Sequence, residues 1–385
     1  MTSPRAAPHP TLLRGGTRVD ERGEVADAWV LFDGDTIAAV GTGPETPAAA
    51  ATVELDGAII TPGFVDLHGH GAGGHAYDDG GSELAAALAV HRAHGTTRSV
   101  VSIVTHPLAE LRERLAEVAV LTASDPLVLG SHVEGPFLSH GRRGAHDPAL
   151  LRDPDQAAIE HLLEAAAGTM RQITLAPELT GGLDGVRQLT AAGVIVAVGH
   201  TEADLELTRQ AFDAGARILT HAFNAMPGIH HRDPGPVVAA LDDDRITLEL
   251  VLDGHHVHPD VAEVLFRAAP GRVALITDSM AAAAAADGDY RLGSLNVSVR
   301  EGLAVLSGTS TLAGSTLTQD AALRLAVDRV GLTLPQAIAA LTSVPARALG
   351  LGARLGLLEP GYAADVVVLD ETLHVTDVWA AGARL

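Results

Sequence analysis

The sequence of 385 residues contains no cysteine. Disulfide bonds and thiolate chemistry are therefore excluded, and any bound metal must be held by histidine, aspartate or glutamate. Lysine is absent as well, because all 26 residues in the lysine-plus-arginine total are arginine. Without lysine the chain can form neither a Schiff base nor a carboxylated lysine that bridges two metal ions.

Aromatic residues make up only 3% of the chain and hydrophobic residues 47%, so the core must consist of valine, leucine, isoleucine and alanine. This is the composition of an ordinary globular protein rather than of a disordered chain. The formal net charge is −22 at pH 7. We therefore expect no nucleic-acid or membrane partner. A small anionic substrate remains compatible with this charge, since it needs only a local cation.

Long hydrophobic runs are also missing. No window approaches the length of a membrane span, and the N-terminal stretch MTSPRAAPHPTLLRGG has no apolar segment long enough for a signal peptide. On these grounds we expect a cytoplasmic protein.

Both ends of the chain have the pattern of short strands broken by turns. In EVADAWVLFDGDTIAAVGTG, apolar and polar residues alternate around an Asp-Gly pair, which is a hairpin signal. The C-terminal stretch repeats this style, with strands expected near 365–369 and 374–379. We predict a small β-sandwich domain formed from both termini, residues 1–58 and 350–385.

The middle of the chain, residues 59–349, has a regular rhythm of apolar runs and helical stretches. Eight apolar runs, from GAIITPGFVDLH to RVALITDSM, alternate with alanine- and leucine-rich segments such as SELAAALAVHRAHG and ADLELTRQAFDAG. Both of these segments end at glycine, as helices often do. Buried parallel strands alternating with helices predict a (β/α)₈ TIM barrel, the domain in which we expect a catalytic site.

Polar side chains occur at or just beyond the C-terminal end of each of these strands. Active sites of barrels of this kind lie at that rim, because the loops after the strands meet there. In chain order the residues are His68 and His70, Thr105 and His106, Glu134, Glu178, His200, His221, Asp253 to His256, and Asp278.

A metal site is the interpretation we favour for this rim. His68 and His70 are two positions apart, so in a strand both point the same way and can share one cation. Alone, such a pair is more often a polar strand end. Glu134, His200 and His221, from three separate strands, complete the ligand set of an open catalytic site that keeps a position for water.

Asp278 is the polar residue that follows the last of the predicted barrel strands. A water molecule on a divalent cation becomes acidic, and a nearby carboxylate can take its proton. The alternatives are that Asp278 is a further metal ligand or the N-cap of the next helix. Among the remaining histidines, His91, His94 and His161 are expected to face solvent, and His132 is expected to point inward beside Glu134.

Several longer motifs carry a resemblance to a known family. PGFVDLHGHGAGG, HVEGPFLSHGRRGAH, VGHTEAD, THAFNAM, LDGHHVHP, ITDSM and LAGSTLT occur in this order. Together they resemble the amidohydrolase superfamily, and within it the N-acetylglucosamine-6-phosphate deacetylase family. The match extends from about residue 55 to the C-terminus. The motifs EGPF…GAH, HAFNAMP and DGHHV are the most specific to the deacetylases.

The resemblance implies the roles of the rim residues. Glu134, His200 and His221 would hold the principal divalent metal, zinc or iron. Asp278 would act first as base and then as acid. His68 and His70, with Glu134 as a bridge, permit a second ion, so that each subunit holds one or two.

The resemblance also implies substrate contacts and an assembly. Arg232 matches an arginine that reaches the phosphate of a neighbouring subunit's substrate, which predicts a homodimer; an ordinary surface salt bridge is the alternative. The other residues implied to line the sugar pocket are Ala145, His146, the backbone of Asn224 and Ala225, His256, Leu312, Ala313 and Gly314.

The function that the resemblance implies is hydrolysis of the N-acetyl group of N-acetylglucosamine 6-phosphate to glucosamine 6-phosphate and acetate, in amino-sugar catabolism or cell-wall recycling. The alternatives are another amidohydrolase activity, such as that of a cyclic amidase, an aminoacylase or a deaminase, and a metal-binding sugar-phosphate sensor without turnover. A sensor has no need of a positioned base, so Asp278 argues against the last.

Overall fold

The computed structural model describes residues 10–385, and the first nine residues of the predicted terminal domain lie outside this range. Within residues 10–385 the chain forms 21 strands. In chain order they are Thr11–Asp20 (β1), Gly23–Asp33 (β2), Thr36–Thr42 (β3), Ala51–Glu54 (β4), Ile59–Pro62 (β5), Phe64–Asp66 (β6), Gly71–Ala72 (β7), His75–Ala76 (β8), Thr96–Ile103 (β9), Val128–Glu134 (β10), Met170–Leu175 (β11), Ile195–Val198 (β12), Ile218–Leu219 (β13), Thr247–Val251 (β14), Val273–Ile276 (β15), Gly288–Leu292 (β16), Leu295–Arg300 (β17), Leu303–Leu306 (β18), Val366–Leu369 (β19), Val375–Ala380 (β20) and Ala383–Arg384 (β21).

The same described range holds ten α-helices. They are Gly81–Ala93 (α1), Leu108–Ser124 (α2), Gln156–Ala166 (α3), Gly182–Ala191 (α4), Leu205–Ala214 (α5), Gly235–Leu241 (α6), Pro259–Ala268 (α7), Gln319–Asp328 (α8), Leu334–Leu341 (α9) and Ser343–Ala348 (α10). The boundaries of α5 show how the sequence sets them. The Asp204 carboxylate accepts a hydrogen bond from the N–H of Leu207 at the start, and Gly215, with φ +128°, ends the helix.

The chain divides into two compact units, and one of them contains a sheet built from both ends of the chain. This unit comprises the described residues up to 66, with 91–98 and 319–385. Its eight-stranded sheet has the order β21-β20-β19-β5-β1-β2-β3, and β4 also pairs with β1. The buried side chains packed in its core include Leu13, Val30, Ile60 and Trp379. The prediction that both termini contribute to one sheet is confirmed.

The barrel strands form the second large sheet. Its order is β6-β9-β10-β11-β12-β13-β14-β15, and the pairs from β9 to β15 are parallel. Every residue of β9 and β10 is buried, as expected for parallel strands that are covered on both faces. Beyond β15 and β6, the N–H of Asp278 donates to the carbonyl oxygen of His68 at 2.8 Å. The predicted (β/α)₈ barrel is confirmed.

The second compact unit comprises residues 67–90 and 99–318. It contains a three-stranded antiparallel sheet, β16-β17-β18, which follows β15 in the chain. The sequence pattern did not predict this sheet. Its apolar side packs Leu292 and Val297 with Met280 and Ala313. This packing places the segment 311–314 beside the residues that follow β15.

The expectation that His91 faces solvent is wrong, because its side chain is buried, with 1% of its surface exposed. His91 lies in α1, where alanine occupies so many positions that the spacing does not single out a buried face. His94 and His161 are partly exposed. Among the described residues, no helix combines the length and the apolar character that crossing a membrane requires.

Candidate active site

Five barrel strands deliver six polar side chains to one rim. Glu134 is the last residue of β10, while His68 and His70 follow the end of β6. The other three follow the ends of β12, β13 and β15. All six side chains are buried, with exposed fractions between 0% and 8%: His68, His70, Glu134, His200, His221 and Asp278.

The Glu134 carboxylate lies between two pairs of histidines. Its Oε1 is 3.1 Å from Nε2 of His200 and 3.1 Å from Nε2 of His221. Its Oε2 is 3.4 Å from Nε2 of His68 and 3.2 Å from Nε2 of His70. One carboxylate therefore presents a separate oxygen to each pair, which is the geometry of a bridging ligand.

Asp278 lies on the side of the first histidine pair. Its Oδ1 is 3.6 Å from Nε2 of His68 and 3.4 Å from Nε2 of His70. The structure thus brings together two possible ligand groups: His68, His70, Glu134 and Asp278; and Glu134, His200 and His221. Asp278 is close enough to this cluster to serve as a ligand or as a base.

The backbone at three of these residues is in the left-handed region. His200 has φ +47°, His221 +26° and Asp278 +45°. Non-glycine residues avoid this region, and each such residue costs about 1–3 kcal/mol that the surrounding structure must offset. The chain turns sharply at the end of each strand, and this turn aims the side chain at the rim.

A cavity of about 330 Å³ opens above the cluster. Seven of the residues predicted to contact the sugar line it: Ala145, His146, Asn224, Ala225, His256, Leu312 and Gly314. Ala313 is fully buried and does not line the cavity. At Gly314, with φ +66°, an added Cβ would lie 2.9 Å from the carbonyl oxygen of Asp278, so the backbone approaches the site closely because this residue is glycine.

Two cavity histidines have pKa values that are shifted in opposite directions. Nδ1 of His146 is 2.8 Å from Oγ1 of Thr105, and burial lowers the pKa of His146 more than Glu134 raises it. Nδ1 of His256 is 2.7 Å from Oδ2 of Asp253. Burial lowers the pKa of His256, but the Asp253 carboxylate raises it more, so the net shift is upward. The cavity therefore offers a neutral imidazole on one side and a readily protonated one on the other.

Arg232 is not part of this cavity. It is exposed on the loop before α6, where its backbone N–H donates to Nδ1 of His230 at 3.4 Å. Its guanidinium has no ion-pair partner among residues 10–385, so the surface salt bridge considered as an alternative is not formed within the described chain.

The comparison with protein families gives a match over nearly the whole described chain. The model of the amidohydrolase family matches residues 59–384. The chain belongs to the amidohydrolase family. The resemblance drawn from the motifs is therefore confirmed.

Curated relatives of this amidohydrolase are deacetylases of amino-sugar phosphates. The N-acetylgalactosamine-6-phosphate deacetylase of Escherichia coli O157:H7 is 38% identical over 96% of this chain and 98% of the relative. The N-acetylglucosamine-6-phosphate deacetylase of Bos taurus is 35% identical over 96% of this chain and 93% of the relative. Both relatives are matched along almost their whole length.

Solved structures of deacetylases also superimpose on this chain. An N-acetyl-D-glucosamine-6-phosphate deacetylase variant from Mycobacterium smegmatis, in complex with N-acetyl-D-glucosamine-6-phosphate, superimposes with a TM-score of 0.93 at 43% identity, covering 97% of this chain and 99% of that one. The N-acetylglucosamine-6-phosphate deacetylase from Thermotoga maritima superimposes with a TM-score of 0.88 at 27% identity, covering 97% and 99%.

The donor set of the amidohydrolase fits a divalent cation, on which this family depends. Within the pairs, the Nε2 atoms face each other at 3.1 Å for His68 and His70 and at 3.0 Å for His200 and His221. Two lone pairs at this distance repel each other unless a proton or a cation lies between them. Nitrogen and oxygen ligands without sulfur suit a divalent metal ion.

Protons compete for the same atoms. Burial lowers the pKa of His70, but the Asp278 and Glu134 carboxylates raise it more, to about 9. Burial raises the pKa of Glu134, whereas the neighbouring histidines, His68 foremost, bring it well below its usual range. A cation that binds here must therefore displace protons from imidazole nitrogen atoms.

Three residues that support the ligands were missed or left open by sequence reasoning. His132 does point inward, with Nδ1 2.9 Å from Oγ of Ser102 and Nε2 2.9 Å from Oγ1 of Thr174. Glu249 and Gln172, both fully buried, were not predicted. The available signal was the charged residue Glu249 in the middle of the apolar stretch ITLELVL, since a buried strand rarely carries a charge.

Proposed function

We propose that this amidohydrolase removes the N-acetyl group of N-acetylglucosamine 6-phosphate, giving glucosamine 6-phosphate and acetate in amino-sugar catabolism. The observation that carries the proposal is the Glu134 carboxylate with a histidine pair on each oxygen and Asp278 beside it. The deacetylase relatives, which match nearly the full chain, support this substrate class.

The proposed metal is zinc or iron. Glu134, His200 and His221 would hold the principal ion, and His68 and His70 would hold a second one with Glu134 as the bridge. Bound there, a divalent cation supplies Lewis-acid chemistry that polarises an amide carbonyl and makes a water molecule more acidic. Support comes from the separate oxygen that Glu134 presents to each pair.

Asp278 is the proposed proton carrier. Burial raises the pKa of Asp278, but His68 and His70 lower it more, so the carboxylate is ionised and has a site for a proton. In the proposed reaction it takes one proton from the attacking water, whose oxygen forms the new bond to the acetyl carbon. It then gives that proton to the sugar nitrogen as the C–N bond breaks. The second proton of the water stays on the new carboxyl group and is lost to solvent when the acid ionises to acetate.

His146 and His256 are proposed to orient the substrate from the cavity wall. His146, the buried histidine whose pKa is lowered, is proposed to donate a hydrogen bond to the oxyanion that develops on the acetyl carbon. His256, which Asp253 keeps readily protonated, is proposed to donate to a sugar hydroxyl. The remaining cavity residues would exclude water from the sugar.

Arg232 is the proposed phosphate contact, and it implies a homodimer. A protein of net charge −22 needs a local guanidinium to bind a phosphate monoester, and arginine grips phosphate oxygens in bidentate fashion. Arg232 lies outside the cavity of its own chain and pairs with no carboxylate of the described residues. We propose that it reaches the active site of a second subunit.

Acetate release from matched sugars tests the function. Metal-loaded protein is incubated with N-acetylglucosamine 6-phosphate, with its C4 epimer N-acetylgalactosamine 6-phosphate, and with unphosphorylated N-acetylglucosamine. We expect acetate from the first at the highest kcat/KM and little from the unphosphorylated sugar. Preference for the epimer would reassign the sugar, since one relative carries that name. No acetate from any of the three, with hydrolysis of a cyclic amide or an N-acyl amino acid instead, would refute the proposal.

A further inference from the structure

A buried carboxylate lies in the middle of a barrel strand rather than at its end. Glu249 is the middle residue of β14, and its exposed fraction is 0%. Its strand neighbours Leu248 and Leu250 are equally buried. A buried carboxylate is strongly unfavourable unless it is paired or hydrogen-bonded, so its partners decide what it does.

Glu249 has two partners, one for each oxygen. Its Oε2 lies 3.4 Å from Nδ1 of His68, and its Oε1 accepts a hydrogen bond of 2.7 Å from Nε2 of Gln172. Gln172, on β11, is also fully buried. The glutamine holds one oxygen of the carboxylate in place, so the other oxygen faces the His68 ring.

The His68 ring is also held from a second direction. The ring of His132 packs edge-on against it, with ring centroids 4.5 Å apart. His132 is itself fixed by hydrogen bonds to Ser102 and Thr174 at 2.9 Å each. Glu249 therefore contacts a ring whose orientation is already restricted by packing.

The contact selects one tautomer of His68. A carboxylate accepts, so the proton of a neutral imidazole lies on Nδ1, and the lone pair lies on Nε2. That Nε2 is 3.1 Å from Nε2 of His70 and 3.4 Å from Oε2 of Glu134. In the neutral ring the lone pair of Nε2 is therefore directed at the ligand group.

His68 and His200 differ in the group that lies against Nδ1 of the ring. Nδ1 of His200 lies 2.9 Å from the carbonyl oxygen of Arg142, a neutral acceptor. Nδ1 of His68 faces a carboxylate that no arginine of the described residues neutralises. Glu134, Asp278 and Glu249 therefore give the His68 side three buried carboxylates, which a divalent cation would balance.

We propose that Glu249 is the positioning residue for His68 and thereby strengthens the binding of a second divalent cation to the amidohydrolase at His68 and His70. The inference rests on the proposed metal-dependent function. It adds a residue outside the ligand set and outside the substrate cavity. Hydrogen-bond partners of metal-ligating histidines typically change metal affinity by about 10- to 100-fold when they are replaced.

Cobalt titration of the metal-stripped protein tests the proposal. We expect two Co²⁺ ions to bind per wild-type chain. Visible absorption and calorimetry measure this binding. In Glu249→Gln, which keeps the size and removes the charge, the ion at Glu134, His200 and His221 should bind as in wild type. The second should bind about 10- to 100-fold more weakly. Equal affinities of both ions in the variant and wild type would overturn the proposal.

Two further variants separate positioning from a general effect. Asp320→Asn makes the same acid-to-amide change at a buried carboxylate that lies 3.0 Å from Nδ1 of His94, a histidine outside the ligand set, and it should bind both ions as wild type does. In a His68→Asn background, Glu249→Gln should cause no further loss. An additional loss there would show that Glu249 acts other than through His68.

A measurement on the wild type covers the case in which Glu249→Gln does not fold. Long-range ¹H–¹⁵N correlation spectra of the zinc-loaded protein should show His68 with its proton on Nδ1; a proton on Nε2 would contradict the inference. If wild type binds only one Co²⁺ ion yet releases acetate, this inference fails and the proposed deacetylation stands. If wild type binds two Co²⁺ ions but releases no acetate, the proposed deacetylation fails and this inference stands.

Discussion

The backbone N–H of Asp278 donates a hydrogen bond of 2.8 Å to the carbonyl oxygen of His68. These residues follow the last and the first strand of the barrel, so the bond joins the two ends of the parallel sheet at the rim. It also ties the backbone of the proposed base to that of a proposed ligand. The relative position of their side chains is therefore set by the closure of the barrel.

Asp278→Asn should remove turnover while leaving the fold intact. The backbone contacts of this residue, including the bond from Ser315 N–H to its carbonyl oxygen at 2.7 Å, do not involve the side chain. Loss of a proton acceptor at this point should lower kcat by roughly 10²- to 10⁴-fold. Acetate release and metal analysis of the same sample measure both effects. Near-wild-type turnover would rule out the role assigned to this carboxylate.

Arg232→Ala should weaken the binding of phosphorylated substrate. Loss of a charge-assisted contact to phosphate should raise KM for N-acetylglucosamine 6-phosphate by about 10- to 100-fold. The value of kcat/KM for the unphosphorylated sugar should not change. Arg187→Ala, at an exposed arginine paired with Asp184 on α4, is the matched control. An unchanged KM in Arg232→Ala would leave the phosphate contact to another residue.

Mixed dimers test whether Arg232 serves a second subunit. Arg232→Ala and Asp278→Asn homodimers should each be impaired. In a mixed dimer, the subunit with intact Asp278 receives Arg232 from its partner, so one complete site forms. Activity should therefore rise when the two variants are unfolded, mixed and refolded together. No gain over the separate variants, with mixed dimers present, would mean that Arg232 acts within its own chain or not at all.

Metal affinity should increase with pH. The folded, metal-free protein holds a proton on His70, because neighbouring carboxylates raise its pKa from the ordinary value of 6.5 to about 9. A cation must displace this proton below that pH, and raising the pH removes the competition. Apparent affinity should rise from about pH 6 to about pH 9, by about tenfold per unit for each proton released. Calorimetry in buffers of different ionisation enthalpy counts the protons, and a pH-independent affinity would contradict this expectation.

The barrel and its rim were predictable because they depend on local patterns. Strands buried on both faces require continuous apolar runs, and the chain shows eight of these between helical segments. Parallel strands place all their C-terminal ends at one edge, so polar residues that follow each run must meet. Glu134, His200 and His221 were identified in this way, and the structure places their ligand atoms within 4.8 Å.

Other features were not predictable from local patterns. Alanine fills so much of α1 that its spacing does not reveal the burial of His91. The sheet β16-β17-β18 lies between barrel elements and has no counterpart in the alternating rhythm. Glu249 stands in a run that otherwise predicts an ordinary core strand, and its role depends on residues 77 and 181 positions away in the chain, Gln172 and His68.

The order and spacing of residues alone determined the strand–helix alternation, the set of side chains at the rim and the membership of the amidohydrolase family. Only the tertiary structure decided that the two oxygens of Glu134 face different histidine pairs and that a buried carboxylate lies against His68. The physical reason is the separation along the chain over which each interaction acts. Periodicity and turn chemistry act between near neighbours, whereas the direction of a side chain in the barrel depends on strands that meet only when the sheet closes.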